Sequence, residues 1–337
     1  FLFLTNLFLV FFWNISCLTV LLSILYKLAV DNLYQKTIAK IINFEGVGLH
    51  SGLVSKVRLL PAPENYGIVF KRIDLKQNNK IEANFKNVSS AKLCTTLTNA
   101  TGTAVSTVEQ LMAAFYISGI DNIEVEIDSS EVPIMDGSSK DFIELISKSG
   151  LKTQNLKRKF LKILKKVEYN ENDKSISIEE NQKGLEVDFQ LVYKNQIIGN
   201  QKNNVNFYNC NLKEIYSSRT FCLFEDIEKI KKNGLAKGGS LSNAVVVKDE
   251  EILNDEGLRN KKEFVNHKIL DLAGDFMLSG YRILGSVKCV QGGHLLSNRF
   301  IRKIFEDSSN YELSSLNNIE IIKNNFKNPI NKLAVNA

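Results

Sequence analysis

The stretch STVEQLMAAFYISGIDNIEVEI, from Ser106 to Ile127, changes its periodicity halfway. Its first half is an unbroken apolar run with an acidic and an amide residue, Glu109 and Gln110, at its head. Ser106 or Thr107 is placed to cap a helix from about Val108 to Ser118, and Gly119 to close it. In its second half Ile123, Val125 and Ile127 alternate with Glu124 and Glu126, the two-residue period of a strand with one wet face. A helix that feeds a strand in this way, among many short alternating segments, points to an α+β fold. Further strands are expected over Phe160 to Val167, over Ser175 to Glu179, and where Leu185, Val187, Phe189 and Leu191 alternate with polar residues. A helix is expected from about Asp226 to Asn233, a turn at Gly238 and Gly239, and a long helix from about Lys262 to Ser279 ended by Gly280. The polar stretch from Lys152 to Lys159 suggests a domain boundary near 155, in keeping with a length of two average domains.

The composition is that of a globular protein: 337 residues, 44% hydrophobic, 24% charged, four Pro and 19 Gly. Those figures exclude collagen-like, low-complexity and disordered classes. The net charge of +6 is spread over Lys-rich stretches such as Lys157 to Lys166, so nucleic acid is not an expected partner. Five widely spaced cysteines without a CxxC pair read as reduced thiols, which suits a cytoplasmic protein. Residues 1 to 26 hold twenty apolar residues and no charge, the length and hydropathy of a bilayer-spanning helix. Two readings stand for residues 1–30: a membrane anchor, or an artefactual or dispensable extension, since no Met precedes Met112. Membrane association is expected only on the first. A secretory signal is disfavoured by the missing basic region and cleavage site.

Three histidines, His50, His267 and His294, restrict where histidine chemistry can occur. In the long helix His267, Asp271 and Asp275 fall at i, i+4 and i+8 and share a face, while Ile269, Leu272, Ala273 and Phe276 form an apolar stripe. Imidazole and carboxylate one turn apart can hold a divalent metal, and mixed nitrogen and oxygen donors suit zinc. The same spacing also suits a solvated His–Asp pair, and spacing alone leaves both open. Glu109 in a first helical turn can be a partner for the helix dipole and nothing more. His294 follows Gly292 and Gly293, where backbone can approach a ligand, and reads as a loop residue; His50 sits in the glycine-rich turn GVGLHSG, from Gly46 to Gly52.

Seven ordered runs together resemble one family. They are KTIAKIINFEGVGLHSG from Lys36, STVEQLMAAFYISGIDNIEVEI from Ser106, EVPIMDGSSKDF from Glu131, SSRTFCLFEDIE from Ser217, GLAKGGSLSNAVVV from Gly234, LRNKKEFVNHKILDLAGD from Leu258 and GGHLLSN from Gly292. The chain is similar to the zinc-dependent UDP-3-O-acyl-N-acetylglucosamine deacetylases of lipid A biosynthesis in Gram-negative bacteria. The resemblance implies two similar α+β domains, each a sheet packed against helices, with the active site between them. The corresponding partition is a hydrophobic segment over 1–30, domains over 34–155 and 156–305, and a tail over 306–337. It also implies hydrolysis of the C2 acetamide of the UDP-sugar substrate, releasing acetate.

Residue by residue, the resemblance makes His267 and Asp271 zinc ligands and Glu109 the base that activates water. His294 becomes the acid, kept charged by Asp275, and Thr220 a hydroxyl near the oxyanion. Lys268 is then a pyrophosphate contact, Phe221 an aromatic contact to substrate, and Ile227 and Ala236 part of the acyl-chain passage, although core packing would equally account for the last two. One position departs: Gln110 stands where the family has a ligand His, and an amide oxygen is the poorer donor to zinc. That departure sets up the rival reading, a pseudoenzyme that binds the UDP-sugar without turnover.

Overall fold

A computed structural model describes residues 33–208 and 210–316. The hydrophobic segment 1–30 and the tail from residue 317 onward lie outside the described residues. Among the described residues no helix is long and apolar enough to cross a membrane. The described residues form six α-helices: α1 (Glu109–Ser118), α2 (Lys140–Ser149), the short α3 (Lys213–Tyr216), α4 (Phe224–Lys232), α5 (Glu263–Met277) and α6 (His294–Glu306). They pack with several sheets, so the α+β expectation holds.

The two largest sheets follow one plan. In the first, the hairpin Ile42–Val47/Val54–Pro61 and the hairpin Ile68–Arg72/Lys80–Glu82 flank the strand Ile123–Ile127. That central strand is antiparallel to Val54–Pro61 and parallel to Ile68–Arg72. In the second, the hairpins Val167–Glu171/Lys174–Glu180 and Leu185–Val192/Asn200–Asn206 flank Arg282–Val290, again antiparallel to one hairpin and parallel to the other. Each central strand comes last in its sheet's hairpin set and directly follows a helix, α1 or α5. Phe160–Ile163 and Tyr311–Ser314 add to the second sheet beside the start of its long central strand. The repetition lies in topology, and no repeated sequence announces it.

Ile123, Val125 and Ile127 are fully buried in the core, as their alternation predicts. The opposite face of that strand is covered by ion pairs, Glu126 with Arg58 and Lys71 and Glu124 with Lys71 and Lys80. Helices α1 and α5 meet between the sheets. A Cβ at Gly274 would stand 2.1 Å from the carbonyl oxygen of Glu109, so only glycine permits this approach, and the first turn of α1 is thereby brought against the middle of α5.

One local expectation, the side-chain cap of α1, is corrected. Neither Ser106 nor Thr107 caps α1: the Ser106 hydroxyl donates to the Ser130 carbonyl and the Thr107 hydroxyl to the Glu131 carboxylate at 2.8 Å. Buried Thr107 has φ +57°, a costly conformation for a β-branched residue, and it lies two residues before Glu109. The polar stretch contains the strand Leu151–Lys157, which pairs with Tyr34–Ile38; its polarity is that of an exposed two-stranded ribbon. Helix α5 is buried along nearly its whole length, with Lys268 its one partly exposed residue.

Candidate active site

The i, i+4, i+8 spacing on α5 carries His267, Asp271 and Asp275 into the gap facing α1, where they are 1%, 3% and 3% exposed. The first turn of α1 supplies Glu109 and Gln110, both buried. His294 arrives from the second sheet: its central strand ends at Val290, Gly292 and Gly293 turn the chain, and His294 becomes the first residue of α6. The sequence reading of His294 as a loop residue is therefore corrected. A cation at a helix N-terminus opposes the macrodipole, and here two carboxylates offset it. His294 Nδ1 lies 2.9 Å from Asp275 Oδ2, and its Nε2 lies 3.8 Å from Glu109 Oε1.

Thr95, which the sequence did not single out, joins these groups. Its backbone N–H donates to Glu109 Oε2 at 3.1 Å and its hydroxyl to Asp275 Oδ1 at 2.9 Å. It comes from the loop before Thr96–Thr98, where Leu93 holds φ +71°. No local pattern distinguishes such a threonine. Burial pushes the Glu109 carboxyl up to about 7 despite the nearby His294 charge. Burial also opposes charge on His294, yet the Asp275 and Glu109 carboxylates hold its pKa up at about 10. Both groups are thus shifted upward and keep their usual order, a carboxyl that titrates near neutrality beside an imidazole that stays charged, the kind of arrangement by which acid and base roles are set.

The His267–Asp271 pair has a different character. His267 Nδ1 lies 3.1 Å from the carbonyl oxygen of Ser218, which can only accept, so the ring carries its proton on Nδ1. Burial keeps the ring neutral by holding its pKa below the ordinary histidine value. Burial works against an ionised Asp271 as well, but its neighbours His267 and Lys268 hold its carboxyl well below the usual range, and Lys268 Nζ reaches Oδ2 at 2.9 Å. The Nε2 lone pair of His267 therefore faces Asp271 Oδ1 at 3.3 Å, and that buried oxygen has no hydrogen-bond partner. Two lone pairs facing one another are reconciled by a cation. Ligands about 2.0–2.1 Å from a tetrahedral zinc stand about 3.3 Å apart, the separation observed. Gln110, whose amide makes no hydrogen bond among the described residues, lines the same space. No group of three His, Cys, Asp or Glu suited to a metal is found among the described residues.

A cavity of about 410 Å3 opens over these groups. Glu109, Gln110, His267, Asp271 and His294 form its polar floor, Lys268, Thr220 and Phe221 one wall, and Leu49, Leu93, Tyr193, Leu223, Ile230 and Leu295 its apolar parts. Phe221 stands edge-on to Phe264 at 4.9 Å, with Lys268 Nζ 5.4 Å from its ring centre. Thr220 is held from both sides of the chain by main-chain bonds, its N–H to the Gly137 carbonyl and its carbonyl to the Val245 N–H, each 2.8 Å. Ile227 and Ala236 are not brought to this cavity. Ile230, one helical turn after Ile227, lines it instead, and Ala236 takes φ +51° in a turn whose N–H points to His50 Nδ1. Glu171, Asn172 and Lys174, at the tip of the Val167–Glu171/Lys174–Glu180 hairpin, also reach the rim and were missed by sequence reasoning, because a surface hairpin tip looks like any polar turn.

Residues 35–306 match the family model described as UDP-3-O-acyl N-acetylglycosamine deacetylase. The UDP-3-O-acyl-N-acetylglucosamine deacetylase of Wigglesworthia glossinidia brevipalpis is 41% identical over 296 residues, covering 87% of this chain and 99% of the relative. That of Pseudoalteromonas translucida is 41% identical over 281 residues, 82% and 92% of the two chains. That of Tolumonas auensis is 39% identical over 282 residues, 83% and 92%. The chain thus belongs to the UDP-3-O-acyl N-acetylglycosamine deacetylase family.

Proposed function

We propose that this protein hydrolyses the acetamide of UDP-3-O-(3-hydroxyacyl)-N-acetylglucosamine, a step of lipid A biosynthesis, at a zinc site held by His267 Nε2, Asp271 Oδ1 and the Gln110 amide oxygen. The observation that carries the reading is the proton-free pair His267 Nε2 and Asp271 Oδ1, 3.3 Å apart beside a carboxyl at about 7 and an imidazole at about 10. A zinc ion bound there supplies Lewis-acid polarisation of the acetyl carbonyl and lowers the pKa of water towards neutrality. The cytoplasm is the compartment that suits this substrate and the unpaired cysteines.

Glu109 takes the proton of the attacking water, a task suited to a carboxyl with a pKa near working pH. Thr95 N–H holds Oε2 of that carboxylate and leaves Oε1 facing the gap to His294. His294, oriented through Nδ1 by Asp275, keeps its Nε2 proton pointed at the same gap and hands it to the departing C2 amine. Its charge and the Thr220 hydroxyl stabilise the oxyanion as the carbonyl becomes tetrahedral. Lys268 presents positive charge to the pyrophosphate, Phe221 presents a ring face, and the apolar cavity wall with Ile230 and Leu295 accepts the acyl chain. The reacting side chains are nine-tenths buried or more, so the water that reaches them is the water the cavity admits.

Gln110 favours a second reading, in which the chain binds the UDP-sugar without turnover because the third metal donor is too weak. Acetate release from the UDP-acyl-sugar, measured on zinc-supplemented protein and on its Gln110→His variant, separates the two. Release by the unmodified chain supports the deacetylase; release by the variant alone supports the second reading.

A further inference from the structure

Ser218, Arg219 and Thr220 form a tripeptide whose two ends serve the site: the Ser218 carbonyl sets the proton of His267, and Thr220 lines the cavity. The residue between them points the other way, into a buried ion pair. Arg219 is 1% and Glu263 0% exposed, and Nε of the guanidinium meets Glu263 Oε1 at 2.8 Å. The same Oε1 accepts the backbone N–H of Arg219 at 3.0 Å, while Oε2 accepts the backbone N–H of Arg259 at 2.6 Å. Glu256 and the Gly257 carbonyl occupy the remaining guanidinium donors. Glu263 therefore grips main chain, not only charge. It lies in the first turn of α5, one turn before His267, so the helix that carries the metal donors also holds the loop that orients one of them. From the other half of the chain, the Gly137 carbonyl takes the Thr220 N–H, and Asp136 holds Arg259 at 2.7 Å.

We propose that Glu263 is a positioning residue of the reaction: by fixing the backbone of residues 218–220 it sets the tautomer of His267 and the place of the Thr220 hydroxyl. His267 has two acceptors available, the Ser218 carbonyl on Nδ1 and Asp271 Oδ1 on Nε2. With the carbonyl held at 3.1 Å the proton stays on Nδ1 and Nε2 is open. With the carbonyl released, the proton shifts from Nδ1 to Nε2, where it donates to Asp271 Oδ1; the ring stays neutral, and the Nε2 lone pair a metal needs is covered. What this placement serves rests on the deacetylase reading; the placement itself does not.

The test is imidazole 15N–1H correlation on the metal-free full chain. Three histidines give three ring systems, and His50→Gln and His294→Gln assign them. The wild type is expected to show His267 as a single Nδ1–H tautomer. Glu263→Gln removes the charge and leaves Glu256 as the one carboxylate on Arg219, and weakening a buried pair in this way can unfold the chain. The double variant Arg219→Met/Glu263→Leu replaces the pair by apolar side chains of similar size, a change buried ion pairs often tolerate. In whichever variant keeps a dispersed amide spectrum, the His267 ring shifts are expected to move towards the Nε2–H pattern. A folded variant that keeps Nδ1–H overturns the proposal, and so does unfolding of both variants, which would make Glu263 a folding residue alone. Failure of the wild type to release acetate would instead count against the deacetylase reading and leave the tautomer result standing.

Discussion

The two large sheets share one strand plan, yet the helices that precede their central strands contribute to the site in different ways. Helix α1 gives only its first turn, Glu109 and Gln110, and the rest of it is core. Helix α5 gives a whole face, His267, Asp271 and Asp275 over two turns, and is itself buried nearly throughout. The chain segments after the central strands differ too. The second sheet passes at once through two glycines to His294, whereas the first continues into the loop around Asp136 and Gly137 that holds Arg259 and Thr220. A repeated scaffold therefore does not require a repeated site. In the proposed reaction one half supplies the base and a weak donor from a helix end, the other the strong donors and the acid.

The division can be broken at its chemical end first. Glu109→Gln is expected to cut acetate release by about 10²–10⁴-fold, the range for loss of a general base, while thermal unfolding shows little destabilisation. Replacing a buried carboxyl that costs solvation should not harm the fold. Retained turnover in that variant removes Glu109 from the base role. On the other half, His294→Gln is expected to fall in the same range or just below, and Asp275→Asn to lose less, about 10–100-fold, since it acts through His294. An Asp275→Asn loss larger than that of His294→Gln would contradict this order.

The contact between the halves is the next target. Gly274→Ala places a methyl against the Glu109 carbonyl, and overpacking of this kind costs about 1–3 kcal/mol. Chemical denaturation should show that loss, with turnover reduced because the first turn of α1 is pushed off α5. Wild-type stability in Gly274→Ala would mean that the helices do not meet as described. The smallest effect sharpens the apolar wall: Ile230→Ser should raise KM for a long-acyl substrate more than Ile227→Ser, because Ile230 lines the cavity and Ile227 does not. The reverse order would place the chain along the other side of α4.

Much of this was legible in the sequence. The period-2 strand over Ile123–Ile127, the Gly119 end of α1 and the i, i+4, i+8 row on α5 are local signals, and local physics decides them. The convergence of that row with Glu109 was not, since it depends on a glycine in a helix interior, Gly274, whose purpose appears only when the second helix is in place. The cap assigned to Thr107 failed because Glu131, distant in sequence, offered its hydroxyl a better partner. His294 read as a loop residue because the helix after it is too polar in its exposed positions to stand out. Thr95, Ser218 and Glu263 act through backbone or through one another, and no spacing rule reports such links. Ile227 and Ala236 were assigned to the acyl passage by resemblance, and the cavity is lined instead by Asp226 and Ile230 on either side of Ile227.

The central claim is that a metal sits between His267 and Asp271 although Gln110 stands in the third position. Zinc content per chain, measured on purified protein beside its Gln110→His variant at known concentrations, tests it most directly. The account predicts one zinc per chain in both, held more weakly in the unmodified protein. Zinc in the histidine variant alone would contradict it and leave a protein that keeps the site's architecture without its metal.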